Sequence, residues 1–125
     1  MLDEAQELLR YASSMLGYPY PDDLPEIRLE PDLECLGQFK RSWLTSPVIT
    51  IRHWRPDNAF DRSVLVHEIC HHLQALNDME LSEVEAVTTQ CRFLQSQGID
   101  PRTELSFEQV LDMTDDPQFA KLEWL

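Results

Sequence analysis

VLVHEICHHLQAL, residues 64 to 76, carries two patterns at once. Leu65, Ile69, Leu73 and Leu76, with Val66 and Cys70 beside them, form a wide apolar stripe at helical spacing, so this helix is expected to be largely buried. His67, Glu68 and His71 lie on it in the H-E-x-x-H arrangement. Residues four apart share a helix face, so both imidazoles can offer a nitrogen to one ion. Two buried histidines with an acid between them are costly unless a shared ligand satisfies them. Glu68 is turned about 100° from His67, beside that ion, where it can accept a proton from water. His72 is rotated away from His71 by a similar angle and is read as a supporting or surface residue, not a ligand.

A third ligand has to come from elsewhere in the chain. Asn77 and Asp78 are turn residues, and from Glu80 a helical period resumes through Val84, Val87, Cys91 and Leu94, ending at Gly98. A short loop makes the two helices antiparallel neighbours. His71 and Glu83 lie at similar distances from that turn, so they should meet at similar heights and Glu83 can be the third ligand. Glu85 points to nearly the opposite side, so ordinarily one carboxylate of the two reaches the ion.

H-E-I-C-H followed closely by E-V-E-A in a next helix resembles the gluzincin zinc metallopeptidases, particularly their minimal, minigluzincin-like forms. The resemblance covers roughly residues 1 to 97, although only the two short motifs are specific. It implies that His67, His71 and Glu83 bind zinc and that Glu68 is the catalytic general base and acid. Relatives that write the second motif E-x-E-A-D or E-x-E-A-N use its first glutamate as ligand, which favours Glu83 over Glu85. Val87 is a departure, because it stands where those relatives often carry an Asp or Asn that supports a histidine ligand.

Upstream of the motif, Leu2 to Leu16 repeats apolar residues as a helical stripe, with Asp3 and Gln6 placed for a capping box and Gly17 with Tyr18-Pro19-Tyr20-Pro21 ending it. Tyr18 and Tyr20, with His72, are the available oxyanion donors. Pro25 to Pro31, Leu36 to Phe39 and Val48 to Trp54 read as three short strands of a small sheet. Lys40, Arg41, Arg52, Arg55 and Arg62 gather near it, either balancing local acids or forming a cleft lip for acidic or C-terminal carboxylate groups. Pro56-Asp57-Asn58 marks a loop, after which Asp61 or Ser63 can cap the motif helix. Beyond Asp100-Pro101, Ser106 to Met113 reads as a short helix, and Phe119, Leu122, Trp124 and Leu125 make an apolar tail expected to dock on the core, with covering of the metal cleft as the other use.

With 125 residues, 42% of them hydrophobic, the chain suits a single domain with one core, about 1–97, followed by a C-terminal helix and tail over 98–125. A net charge of −13 argues against nucleic acid as a partner. Neither a signal peptide nor a membrane span is read, and the odd count of three cysteines lacks C-x-x-C spacing; a cytoplasmic protein is expected. The resulting expectation is an α+β domain in which an N-terminal helix and a three-stranded sheet pack on an antiparallel helix pair holding Zn2+. The expected activity is hydrolysis of a peptide or protein substrate. A non-catalytic, zinc-stabilised regulatory or interaction module is the alternative.

Overall fold

The computed structural model describes residues 2–22, 24–42 and 45–104. The expected helix over 106–113, the tail from 118 and Trp43 lie outside the described residues. The elements run α1 (Leu2–Leu16), β1 (Glu26–Leu29), β2 (Gly37–Ser42), β3 (Thr45–Ile51), α2 (Ala59–Leu76), α3 (Glu83–Ser96) and α4 (Pro101–Glu104). This is the expected α+β architecture. The sheet is mixed, in the order β1-β3-β2, with β1 parallel and β2 antiparallel to β3. Its inner face contributes Ile49 and Ile51, both fully buried, to a core shared with Leu8, Leu9 and Ala12 of α1 and with Leu65, Ile69 and Leu73 of α2.

The middle strand begins and ends earlier than the expected Val48 to Trp54. Pro47 is accommodated inside β3, because pairing with β1 starts one residue later at Val48 and the β2 pairing is irregular between Lys40 and Ser42. A missing N–H therefore removes no regular ladder bond there. At the other end His53 and Trp54 have left the sheet. Trp54 instead stacks under the Arg62 guanidinium, 4.4 Å from its ring centre, while Arg62 Nη2 donates to Glu4 at 2.8 Å and ties α2 to α1.

α2 starts on a different cap from the two expected. Asn58 is the N-cap, accepting from the Asp61 N–H at 2.9 Å. Asp61 is buried and receives Arg55 at both carboxylate oxygens and through its backbone N–H, at 2.7 to 3.0 Å. Arg55 holds the Asp61 carboxyl below its ordinary range despite burial, which acts in the opposite direction. At the far end Arg41 donates to the Ala75 carbonyl at 2.6 Å, supplying a cation to a helix C-terminus whose last turn has no basic residue. Arg41, Arg55 and Arg62 thus serve the fold's own contacts.

α3 begins at Glu83 and not at Glu80, because Ser82 caps it and accepts from the Glu85 N–H at 3.2 Å. Its partners on α2 run backwards: Gln74 meets Ser82, His71 meets Glu83, and His67 and Ser63 meet Gln90. The helices are therefore antiparallel. β2 runs in the same direction as α2, with Gly37 against Val64 and Glu68, Phe39 against His72, and Arg41 on Ala75. Two strand residues advance about 6.6 Å and four helical residues about 6 Å, so strand and helix stay in step along this seam.

Candidate metal centre

Fourteen residues of α2 from Asp61 to Ala75 are buried, including His67, Glu68, His71, His72 and Gln74. The sheet and α1 take the apolar faces, which leaves His67 and His71 facing α3. His67 Nε2 lies 2.9 Å from Glu83 Oε2 and His71 Nε2 lies 2.8 Å from Glu83 Oε1. The three residues present ligand atoms within 4.8 Å of one another. The helix pair thus brings together the three expected ligands. Glu85 points elsewhere, accepting from Gln74 Nε2 at 3.0 Å and from the Tyr18 hydroxyl at 3.3 Å.

Two glutamines hold the opposite sides of the imidazole rings. Gln74 Oε1 lies 3.0 Å from His71 Nδ1 and Gln90 Oε1 lies 3.0 Å from His67 Nδ1. The amide orientations follow from groups whose hydrogen-bonding roles are fixed. The Ser82 N–H can only donate and reaches Gln74 Oε1 at 3.0 Å, while the Ser82 carbonyl can only accept and receives Gln74 Nε2 at 3.1 Å. Ser63 donates its hydroxyl to the Phe60 carbonyl at 2.7 Å, so its oxygen accepts from Gln90 Nε2 at 3.2 Å. Each glutamine therefore turns an acceptor towards Nδ1, and each Nδ1 carries a hydrogen. In the neutral rings both Nε2 lone pairs then face the Glu83 carboxylate. Acceptors 2.8 to 2.9 Å apart repel unless a cation lies among them, a proton or a metal ion.

The donor set passes a test of fit for zinc. Two imidazole nitrogens and one carboxylate are donors of the types that zinc accepts. His71 Nε2 is buried and, despite its 2.8 Å approach to Glu83, lacks hydrogen-bond alignment. Burial raises the Glu83 carboxyl pKa, but the His67 and His71 rings beside it, when protonated, outweigh that and bring it down to about 2. Burial lowers the His71 pKa, and the Glu83 carboxylate more than offsets that, for a net rise.

Glu68 is not part of the triplet. It is 3% exposed, and its side chain lies beneath Gly37 of β2. A Cβ at position 37 would stand 2.8 Å from Val64 Cγ1, 3.1 Å from Glu68 Cγ and 3.2 Å from Glu68 Oε1, so the strand approaches this closely only with glycine. Burial pushes the Glu68 carboxyl up, opposed by His67 and His71 and reinforced by Glu83. His72, expected in support or at the surface, is 2% exposed and stacks edge-on with Phe39 at 5.9 Å. Tyr18 bonds Glu85, which Gln74 separates from His71, and Tyr20 is exposed with Arg10 over its ring.

Sequence reasoning missed Gln74, Gln90, Ser63 and Gly37. Gln90 had a findable signal, since it is seven residues after Glu83 and so on the same helix face. Gln74 likewise follows His71 by three. Nothing local marks Gly37, whose importance depends on a helix that begins far downstream.

The fold and site define an α+β domain with a His-His-Glu cluster, its histidines buried and its glutamate partly so, between two antiparallel helices. The chain belongs to the family described as Domain of unknown function (DUF6647), whose model matches residues 37–111, more than half of its length. That segment holds every residue of the cluster and its glutamine supports. No curated protein and no solved structure matches the chain.

Proposed function

We propose that this protein is a zinc-dependent peptidase of gluzincin type, with His67, His71 and Glu83 as ligands and Glu68 as general base and acid. The observation that carries the reading is the convergence of His67 Nε2, His71 Nε2 and the Glu83 carboxylate, with both Nδ1 positions already occupied as donors. A zinc ion supplies a Lewis acid that acidifies water and polarises a carbonyl. The Glu68 carboxylate, its pKa raised by burial, accepts the water proton and delivers it to the leaving amine. β2 pairs only with β3 among the described residues, so its other edge offers main-chain groups to an extended peptide alongside α2. Lys40 on that strand favours peptides with acidic groups. Three free cysteines, two of them buried, fit a reducing compartment such as the cytoplasm. Among the described residues no helix is long and apolar enough to cross a membrane.

The burial of Glu68 favours a second reading, in which zinc stabilises a regulatory or protein-interaction module and no peptide is cut. Elemental analysis and a peptide library separate these. About one zinc per chain, lost in Glu83→Ala and kept in Glu85→Ala, with cleavage abolished in Glu68→Gln, is expected for the peptidase. One zinc with no cleavage of any peptide supports the module. No zinc after metal is supplied overturns both.

A further inference from the structure

We propose that Gln74 and Gln90 are positioning residues that keep the site open to metal by confining both ring hydrogens to Nδ1, with Ser63 acting through Gln90. This assignment rests on the metal reading proposed above. A neutral histidine beside a carboxylate has an easier alternative to metal binding, which is to place its hydrogen on Nε2 and donate it to that carboxylate. Here such a shift would close the triplet on itself, since both Nε2 atoms already lie within 2.9 Å of Glu83. The glutamines oppose it. Their Oε1 atoms need a donor at Nδ1, and neither amide can turn over without placing donor against donor at the Ser82 N–H, or leaving Ser63 facing an acceptor while its hydroxyl serves Phe60. Gln74 and Gln90 are fully buried, so water does not replace the lost partner.

The arrangement also accounts for Val87. That side chain is fully buried and apolar and packs with Cys91 and Leu94, so it offers no support to a histidine. Gln90, one turn further along the same face of α3, takes the place of an acidic support. Because an amide is neutral, two rings and one carboxylate leave a divalent ion with one net positive charge, where a carboxylate support would cancel it and make the ring more basic.

Zinc dissociation constants by chelator competition test this on wild type, Gln90→Met, Gln90→Glu and Ser63→Ala, with the imidazole 15N shifts of the zinc-free proteins recorded at alkaline pH. Gln90→Met keeps the volume and removes the acceptor; zinc is expected to bind about 10- to 100-fold more weakly, and His67 to move its hydrogen to Nε2. Gln90→Glu, which keeps an acceptor, is expected to bind at least as tightly as wild type. Ser63→Ala leaves every ligand in place and removes the acceptor that Gln90 Nε2 uses there, so an intermediate loss is expected; it carries the test alone should Gln90→Met not fold. Wild type that binds zinc, with Ser63→Ala and any folded Gln90→Met within about threefold of it, or unchanged 15N patterns, would overturn the positioning role alone. Wild type that binds no zinc removes the metal reading and this inference with it.

Discussion

The backbone of Ser82 grips both ends of the Gln74 amide, donating to Oε1 at 3.0 Å and accepting from Nε2 at 3.1 Å. Ser82 is also the N-cap of α3, so the start of that helix and the orientation of His71 are set at one point. Gln74→Leu is expected to lower the stability of the chelated protein by about 1–3 kcal/mol, because buried partners lose their bonds. Urea unfolding with and without zinc measures it, and a change under about 0.5 kcal/mol would remove Gln74 from this role.

Replacing Glu68 with Gln changes a proton acceptor into a group of similar shape. Zinc content and melting temperature should stay near wild type or rise, since a buried carboxylate is removed, while peptide hydrolysis falls at least a hundredfold. Steady-state cleavage of the best library peptide is the measurement. Undiminished hydrolysis would place the base elsewhere.

Gly37→Ala puts a methyl group into space held by Val64 and Glu68. A destabilisation of about 1–3 kcal/mol is expected from overpacking. If the protein is active, turnover should fall further than stability alone explains, because the displaced group is Glu68. Equal melting temperatures for the two proteins would show that β2 lies farther from α2.

The zinc-free protein has a defined pH window. The Glu83 pKa falls on folding from 4.5 to about 2, so its contribution is complete above about pH 4.5 and is lost as pH falls towards 2. The His71 pKa rises from 6.5, so its share is complete below about pH 6.5 and fades as pH climbs through the higher folded value. The stability gap between wild type and Glu83→Gln in chelator should therefore be largest from about pH 4.5 to 6.5. Zinc should reverse the alkaline side, since binding requires His71 to release its proton. A gap that is flat with pH would show that these groups do not interact.

Much of this molecule was legible in the chain because its signals are local. The bounds of α1 follow from an apolar stripe and the Gly17 stop, and the positions of His67 and His71 relative to each other follow from helical geometry alone. Glu83 was within reach because a short loop leaves an antiparallel pair few ways to match heights. Tertiary structure decided what depends on atoms brought from distant parts of the chain. Pro47 sits inside a strand because an irregular pairing with β2 leaves room for it, and Gly37 is required because a helix packs against the strand. The glutamines show the limit most clearly. An amide has no preferred meaning in sequence; the backbone of Ser82, the Glu85 carboxylate and the Ser63 hydroxyl engaged on the Phe60 carbonyl are brought by folding to the places where they orient the amides towards the histidines.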